Sequence, residues 1–169
     1  MPGRAAAMTT PTARIELREA RTPDELSAYQ DLCWRVLRKP WERTRTQRPV
    51  TANGDLETSA LVLTAWDGDR LTGGGRIEFP TTGEGQVRGM AVDPDYQGEG
   101  IGTMILRALE AHGARLGLKR LVLHGRENAL AFYRRSGYEC GGESYTSFGV
   151  VRHWLMWKEI QNKPSSQQR

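Results

Sequence analysis

The sequence has few cysteines and no long apolar run. Its two cysteines, Cys33 and Cys140, lie far apart with no C-x-x-C pair, which argues against a zinc ribbon and against the disulfide framework of a small secreted protein. The three histidines have neither H-x-x-x-H spacing nor a neighbouring cluster of cysteines or carboxylates, so we expect no metal. No apolar stretch approaches the ~20 residues of a membrane-spanning helix, so we expect no membrane partner.

The body of the chain also lacks an excess of charge of one sign. The net charge is +4, but each end contributes two basic residues and no acidic one, so residues 15–160 are neutral. This balance argues against nucleic acid as a partner. Residues 1–13 and 161–169 are small and polar and contain proline, which predicts mobile tails around one domain at residues 14–160. Scarce cysteine and a start without a signal peptide favour a cytoplasmic location.

Hydrophobic periodicity predicts a mixed α/β fold. The predicted strands cover residues 14–19, 60–66, 71–79, 86–92, 118–124, 138–145 and 150–158. A capping box from Thr22 to Glu25 begins a helix that runs toward Pro40 and buries Cys33. Further helices are predicted after the glycines near residue 100 and at residues 127–135. The strand at 118–124 has the pattern of a strand buried on both faces.

A glycine-rich loop follows the fourth predicted strand. Gly98, Gly100 and Gly102 leave backbone N–H groups unobstructed at a helix N-terminus, where partial positive charge accumulates. This arrangement is typical of an anion cradle, although the same glycines could serve only a tight turn. No G-K-S/T follows, which excludes a Walker loop, and the G-x-G-x-x-G spacing is not met. The loop therefore predicts a phosphate site of another kind.

Two ordered segments resemble the signatures of the GNAT superfamily of N-acetyltransferases. Residues 90–102 (MAVDPDYQGEGIG) are similar to the acetyl-CoA loop R/Q-x-x-G-x-G/A at Gln97, Gly100 and Gly102. Residues 128–138 (NALAFYRRSGY) are similar to N-x-x-A-x-x-F-Y-x-x-x-G-F/Y, with one residue fewer before the aromatic pair. The resemblance implies a GNAT-type fold, a mixed and mostly antiparallel sheet of about six or seven strands. It is splayed between the fourth and fifth strands and flanked by helices.

The resemblance also implies acetyl-CoA as co-substrate. Its pyrophosphate would lie on the loop N–H groups and its pantetheine arm along residues 90–92. Gly89 lies in the middle of a predicted strand, which indicates a bulge and suits the family's bulge at this place. A main-chain N–H near Met90 or Ala91 would meet the oxyanion formed when an amine attacks the thioester. Tyr133 matches the family tyrosine that protonates the leaving thiolate; the alternative is an aromatic side chain that only packs beside Phe132. Asn128 matches the family asparagine that contacts the cofactor; the alternative is a helix cap. The implied contacts are Met90, Ala91, Val92, Gln97, Gly98, Glu99, Gly100, Ile101, Gly102, Thr103, Asn128 and Tyr133.

The general base is not implied by the resemblance. Relatives often have a glutamate four residues before the Met90 position, where this sequence has Gln86, which cannot take a proton. The candidates are Glu84 in the preceding turn, Glu78 on the hairpin and His124 at the end of the fifth strand, acting directly or through water. We favour His124 because the pKa of histidine lies near working pH, although it could be an ordinary strand-end residue.

The resemblance therefore implies transfer of an acetyl group to a primary amine of a small metabolite, peptide or protein. The resemblance places the acceptor against residues 35–55 and the last strands, where His153 has a substrate-side role. Six basic residues within residues 35–55 favour an acceptor with a carboxylate or phosphate. The missing glutamate leaves open a non-catalytic acyl-CoA-binding regulatory module. The basic segment leaves open action on charged tRNA. A homodimer is also compatible with the sequence.

Overall fold

The computed structural model describes residues 14–42, 60–81 and 83–160. The strands are β1 (Ile15–Glu19), β2 (Ala60–Asp67), β3 (Arg70–Thr81), β4 (Glu84–Val92), β5 (Arg120–Arg126), β6 (Glu139–Ser147) and β7 (Val151–Glu159). The helices are α1 (Pro23–Cys33), α2 (Ile101–Arg115) and α3 (Leu130–Arg135). The predicted tails lie outside the described residues. No helix within these three ranges is long and apolar enough to cross a bilayer.

The strands form one sheet in the order β1-β2-β3-β4-β5-β7-β6. Every neighbouring pair is antiparallel except β4 and β5, which run parallel because α2 crosses between them. The predicted mixed, mostly antiparallel sheet is confirmed. The parallel pair is short, since only Glu84–Gln86 of β4 meets β5. Beyond Gln86 the two strands diverge, and this is the predicted splay.

Helix α1 begins as predicted, and a π-helical turn continues it toward Pro40. The Thr22 hydroxyl accepts from the Glu25 N–H, and the Glu25 carboxylate accepts from the Thr22 N–H, so the capping box is complete. The helical run continues toward Pro40 as predicted, but not as a regular α-helix. A π-helical turn over Trp34–Arg38 follows Cys33, with the Lys39 N–H bonded to the Trp34 carbonyl oxygen at 2.8 Å. This wider turn changes the helical phase before the proline stops the helix.

The glycines that open β3 let a helix approach each face of the sheet. A Cβ added at Gly74 would lie 2.7 Å from the Tyr29 ring of α1, and one at Gly73 would lie 2.9 Å from Ile105 of α2. Any larger residue would push a helix away from the sheet. The main core lies under α2, and a smaller cluster under α1 contains Leu26, Tyr29 and Val62. Cys33 packs against this smaller cluster as a partly buried residue.

A bulge in β4 lies where the two strands separate. Gly74 pairs with Ala91 and Arg76 with Arg88, so two residues of β4 face one residue of β3. The first of these, Gly89, has φ +60°, a left-handed conformation that favours glycine. The predicted bulge is confirmed.

The prediction that β5 is buried on both faces is wrong. Leu121, Leu123 and Gly125 are buried, whereas the alternating residues Val122, His124 and Arg126 are partly exposed. One face therefore packs in the core and the other looks toward solvent. On this second face His124 and Arg126 line a cleft instead of packing in the core.

Candidate active site

A cleft of 1360 Å³ opens between the diverging ends of β4 and β5. The helical segment of residues 30–41 closes one side, and the loop before α2 and the start of α3 close another. Each predicted cofactor contact except Glu99 lines this cleft. Glu99 points instead to Arg14, with 4.0 Å between a carboxylate oxygen and Nη2.

The glycine loop presents bare backbone at the start of α2. Gly98 and Gly100 have φ +79° and +85°, and Gly100 is the N-cap residue, with no side-chain hydrogen bond to the helix. The Gln97 side chain instead turns back to the last residue of β4, where its amide donates to the Val92 carbonyl oxygen at 3.1 Å. Because no side chain caps α2, its first N–H groups are free to bind an anion. These features fit the pyrophosphate of coenzyme A.

A hydrogen bond from α1 fixes the bulge of β4. The hydroxyl of Tyr29, a residue only 1% exposed, donates to the Gly89 carbonyl oxygen at 2.7 Å. Since a trans peptide is planar, the N–H of Met90 points to the opposite side of that peptide. Both Met90 and Ala91 lie in the part of β4 that β5 does not pair, so this edge of the strand can receive an extended ligand.

Tyr133 lines the cleft from α3. Its side chain is 8% exposed and makes edge contacts with Phe132 and Tyr138, at ring separations of 5.0 and 5.8 Å. Burial raises the pKa of Tyr133 to about 12, and the nearby Arg126 guanidinium only partly offsets this. The phenol is therefore protonated at neutral pH. Asn128 lines the cleft from the 3₁₀ turn Glu127–Ala129, just before α3.

His124 lies on the exposed face of β5, opposite the unpaired part of β4. Its Nδ1 is 2.9 Å from the Ser144 hydroxyl oxygen, and its ring contacts Tyr145 at 5.3 Å. Burial, and to a lesser degree the Arg88 guanidinium, lowers the pKa of His124. The imidazole is therefore neutral at pH 7 and can accept a proton.

The two glutamate candidates are placed differently. Glu78 lines the cleft, but its two carboxylate oxygens accept from Arg76 at 3.1 Å and from Arg88 at 3.2 Å. Glu84 is the first residue of β4 rather than part of the turn, and it pairs with Thr81 and Arg120. It is not among the described residues that line the cleft. Gln86 does line the cleft, so the amide occupies the site where relatives often have glutamate.

His153 and Tyr145 form an aromatic stack that the sequence did not reveal. The His153 ring lies parallel to Tyr145 at 4.3 Å, and its Nδ1 is 3.0 Å from the Val151 carbonyl oxygen. His153 is 4% exposed, and burial lowers its pKa. The stack lies between β6 and β7, two strands whose register no local pattern specifies. The part of the chain that the structure describes has no group of three or more metal-ligating side chains.

The cleft geometry agrees with the comparison of this chain with known proteins. The acetyltransferase (GNAT) family model matches residues 17–138. The chain belongs to the GNAT acetyltransferase family. It is 37% identical over 83 residues to the mycothiol acetyltransferase of Geodermatophilus obscurus, an alignment that covers 44% of this chain and only 27% of that protein. It is 27% identical over 105 residues to the uncharacterized N-acetyltransferase YjcF of Bacillus subtilis, covering 62% of this chain and 74% of YjcF.

Solved structures show the same fold in this GNAT protein and in distant relatives. The ribosomal-protein-S18-alanine N-acetyltransferase of Escherichia coli superposes with a TM-score of 0.71 at 19% identity, covering 92% of this chain and 99% of that one. An aminoglycoside 6'-N-acetyltransferase complexed with coenzyme A superposes with a TM-score of 0.72 at 19% identity, covering 88% and 99%. At this identity the likeness shows the fold alone.

Proposed function

We propose that this GNAT acetyltransferase is an N-acetyltransferase that moves the acetyl group from acetyl-CoA to a primary amine by direct attack. The observation that carries the proposal is the cleft itself. There a glycine-capped helix start, a neutral histidine and a protonated phenol surround the unpaired edge of a bulged strand. The coenzyme A bound to the aminoglycoside-modifying relative supports the choice of ligand.

The chain offers separate groups for the separate parts of acetyl-CoA. The N–H groups from Gln97 to Thr103 would hold the pyrophosphate, and the edge of β4 from Met90 to Val92 would hold the pantetheine arm. Asn128 would contact the same arm from the other side of the cleft. Bound acetyl-CoA supplies an activated thioester carbonyl. The N–H of Met90 or Ala91 would stabilise negative charge that develops on its oxygen.

His124 and Tyr133 would handle the protons. A primary amine with a pKa near ~10 must lose a proton before it attacks, and the neutral His124 would accept that proton directly or through water. As the new C–N bond forms and the C–S bond breaks, the protonated Tyr133 would donate to the sulfur. This leaves the thiol of coenzyme A and the amide product. A proton would then pass from His124 to solvent, and the second proton that the amine nitrogen loses as the amide forms would restore Tyr133.

Gln86 supports a second candidate function, a non-catalytic acyl-CoA-binding regulatory module. An amide lines the cleft where relatives often have a glutamate, and Glu78 is engaged by two guanidinium groups. In that case the cleft would bind acetyl-CoA without turnover. Action on charged tRNA is less well supported, because Arg35 is 3.6 Å from Asp93 and Arg38 is 2.8 Å from Glu42. The remaining arginines of the basic segment lie outside the described residues, and a homodimer stays a prediction.

The test is thiol release from acetyl-CoA with a panel of primary amines, measured for the native chain and for Tyr133→Phe. An enzyme should release thiol with at least one amine, and Tyr133→Phe should lower kcat by about 10- to 100-fold with little change in the dissociation constant of acetyl-CoA. Tyr138→Phe is the matched control, because it removes a hydroxyl from a buried tyrosine outside the cleft lining. Binding of acetyl-CoA without thiol release for any amine would favour the regulatory module.

A further inference from the structure

One guanidinium on the acceptor side of the cleft lacks an anionic partner. Arg126 is partly buried in the cleft wall, and its Nη2 donates to the Leu37 carbonyl oxygen at 2.7 Å. Among residues 14–42, 60–81 and 83–160, no aspartate or glutamate pairs with it. The neighbouring arginines differ, because Arg76 and Arg88 share Glu78. A desolvated guanidinium without a carboxylate is a binding group for an anion.

An exposed aromatic wall lies beside this guanidinium. The Arg126 guanidinium is 5.0 Å from the centre of the Trp41 ring, and the Phe148 ring lies parallel to Trp41 at 6.0 Å. Trp41 and Phe148 are each 38% exposed, and Tyr145 nearby is 46% exposed. Phe148 is the only non-glycine residue in the described part of the chain with a positive φ, +53°. A left-handed backbone costs free energy, and here it holds an exposed ring against Trp41.

These groups stand at a fixed distance from the proposed base. His124 and Arg126 are two residues apart on β5, so their side chains leave the same face about 6.6 Å apart along the strand. An amine at His124 and an anion at Arg126 can therefore belong to one small molecule, whose apolar part would lie on the Trp41 ring.

We propose that the acceptor is an aromatic α-amino acid, a primary amine that carries both a carboxylate for Arg126 and a flat ring for Trp41. This inference rests on the proposed acetyl transfer and names its acceptor. A polycationic amine suits the cleft poorly, because Arg76, Arg88 and Arg126 all line it and the carboxylate of Glu78 is already engaged. The carboxylate gives orientation through a bidentate contact, and the ring gives buried apolar area.

The test compares three amines that differ by one group each, with thiol release as the readout. L-Tryptophan has the amine, the carboxylate and the ring; tryptamine lacks the carboxylate; L-alanine lacks the ring. We expect kcat/KM for tryptophan to exceed that for either other amine by about 10- to 100-fold, the usual value of a charge-assisted hydrogen bond or of a buried aromatic side chain. Spermidine is included as a polycationic amine.

Two variants connect the preference to the structure. Arg126→Gln should lower the tryptophan-to-tryptamine ratio of kcat/KM at least about tenfold, and Trp41→Ala should lower the tryptophan-to-alanine ratio. Arg120→Gln is the matched control. It removes the same charge from the far end of β5, where Arg120 pairs with Glu159 outside the cleft, and it should leave both ratios unchanged.

The outcomes separate the acceptor from the reaction. Equal kcat/KM for tryptamine and tryptophan, faster turnover of spermidine, or an unchanged ratio in Arg126→Gln would overturn the aromatic amino acid, while acetyl transfer itself would stand. No turnover of tryptophan alongside turnover of another amine would overturn it too. Binding of acetyl-CoA without turnover of any amine would refute the proposed function, and the acceptor assignment with it.

Discussion

The hydroxyl of Tyr29 is the most direct structural link between α1 and the proposed oxyanion donor, and Tyr29→Phe removes only that hydroxyl. The ring stays in the small cluster against Leu26 and Val62 and continues to fill the space over Gly74. The Gly89 carbonyl oxygen loses its 2.7 Å hydrogen bond and keeps only a weak contact with the Cys33 sulfur at 3.6 Å. The peptide from Gly89 to Met90 then loses the hydrogen bond that fixes its orientation.

The expected magnitude follows from the burial of this hydrogen bond. Leaving a buried carbonyl unsatisfied costs about 1–3 kcal/mol, so the free energy of unfolding should fall by that amount. Complete removal of an oxyanion donor costs about 100- to 1000-fold in kcat in known enzymes. A donor that is loosened rather than removed should cost less, so we expect kcat to fall by about 10- to 100-fold.

Two assays separate the structural effect from the catalytic effect. Chemical unfolding gives the loss of stability, and thiol release at saturating acetyl-CoA and amine gives kcat, with calorimetry for the affinity of acetyl-CoA. Tyr138→Phe serves as the control, because this buried tyrosine lies outside the cleft lining. If Tyr29→Phe destabilised the fold but left kcat equal to that of the control, the bulge would have no role in positioning a donor for the reaction.

Three further predictions concern the loop and the histidines. Gly100→Ala places a side chain at φ +85°, so it should cost ~1–2 kcal/mol of stability and weaken acetyl-CoA binding by straining the start of α2. Gly117→Ala, at φ +80° in an open turn, should cost a similar amount of stability but leave the acetyl-CoA affinity measured by calorimetry unchanged. Because burial lowers the pKa of His124, kcat/KM should rise with pH through a midpoint below about 6.5. His124→Gln should abolish this rise, and an unchanged rise in the variant would exclude His124 as the base. The pKa of His153 is also lowered, so the unfolded chain binds a proton at this residue more readily than the folded chain does. The free energy of unfolding should therefore keep the full contribution of His153 above about pH 6.5 and lose it as the pH falls. Chemical unfolding from pH 5 to 8 should show a weaker pH dependence of this free energy in His153→Gln.

Local signals in the sequence predicted most elements correctly. The capping box placed the start of α1, and the mid-strand Gly89 identified the bulge, because both depend on residues adjacent in the chain. The sequence predicts the helical run toward Pro40 but not its π-helical turn, since that turn keeps the same apolar residues in a slightly different phase. The prediction that β5 is buried on both faces is wrong for a different reason. Leu121 and Leu123 alternate with the residues of the other face, and this pattern does not show whether another part of the chain covers that other face.

The acceptor side of the cleft could not be predicted for the same physical reason. Trp41 and Phe148 are 107 positions apart in the chain and meet only through the folded sheet. The Arg126 contact with the Leu37 carbonyl likewise joins β5 to the π-helical turn. The signatures predicted the cofactor side because their residues are consecutive, whereas the acceptor side is assembled from distant segments and has no linear signal.

The central claim is that the cleft between β4 and β5 binds acetyl-CoA, and thermal unfolding with separate ligands tests it most directly. Acetyl-CoA and coenzyme A at about 100 times their dissociation constants should stabilise the fold by ~2.7 kcal/mol and raise Tm by about 5–10 °C. ATP and NAD should not. The absence of a shift with either coenzyme A species at saturating concentration would contradict the account.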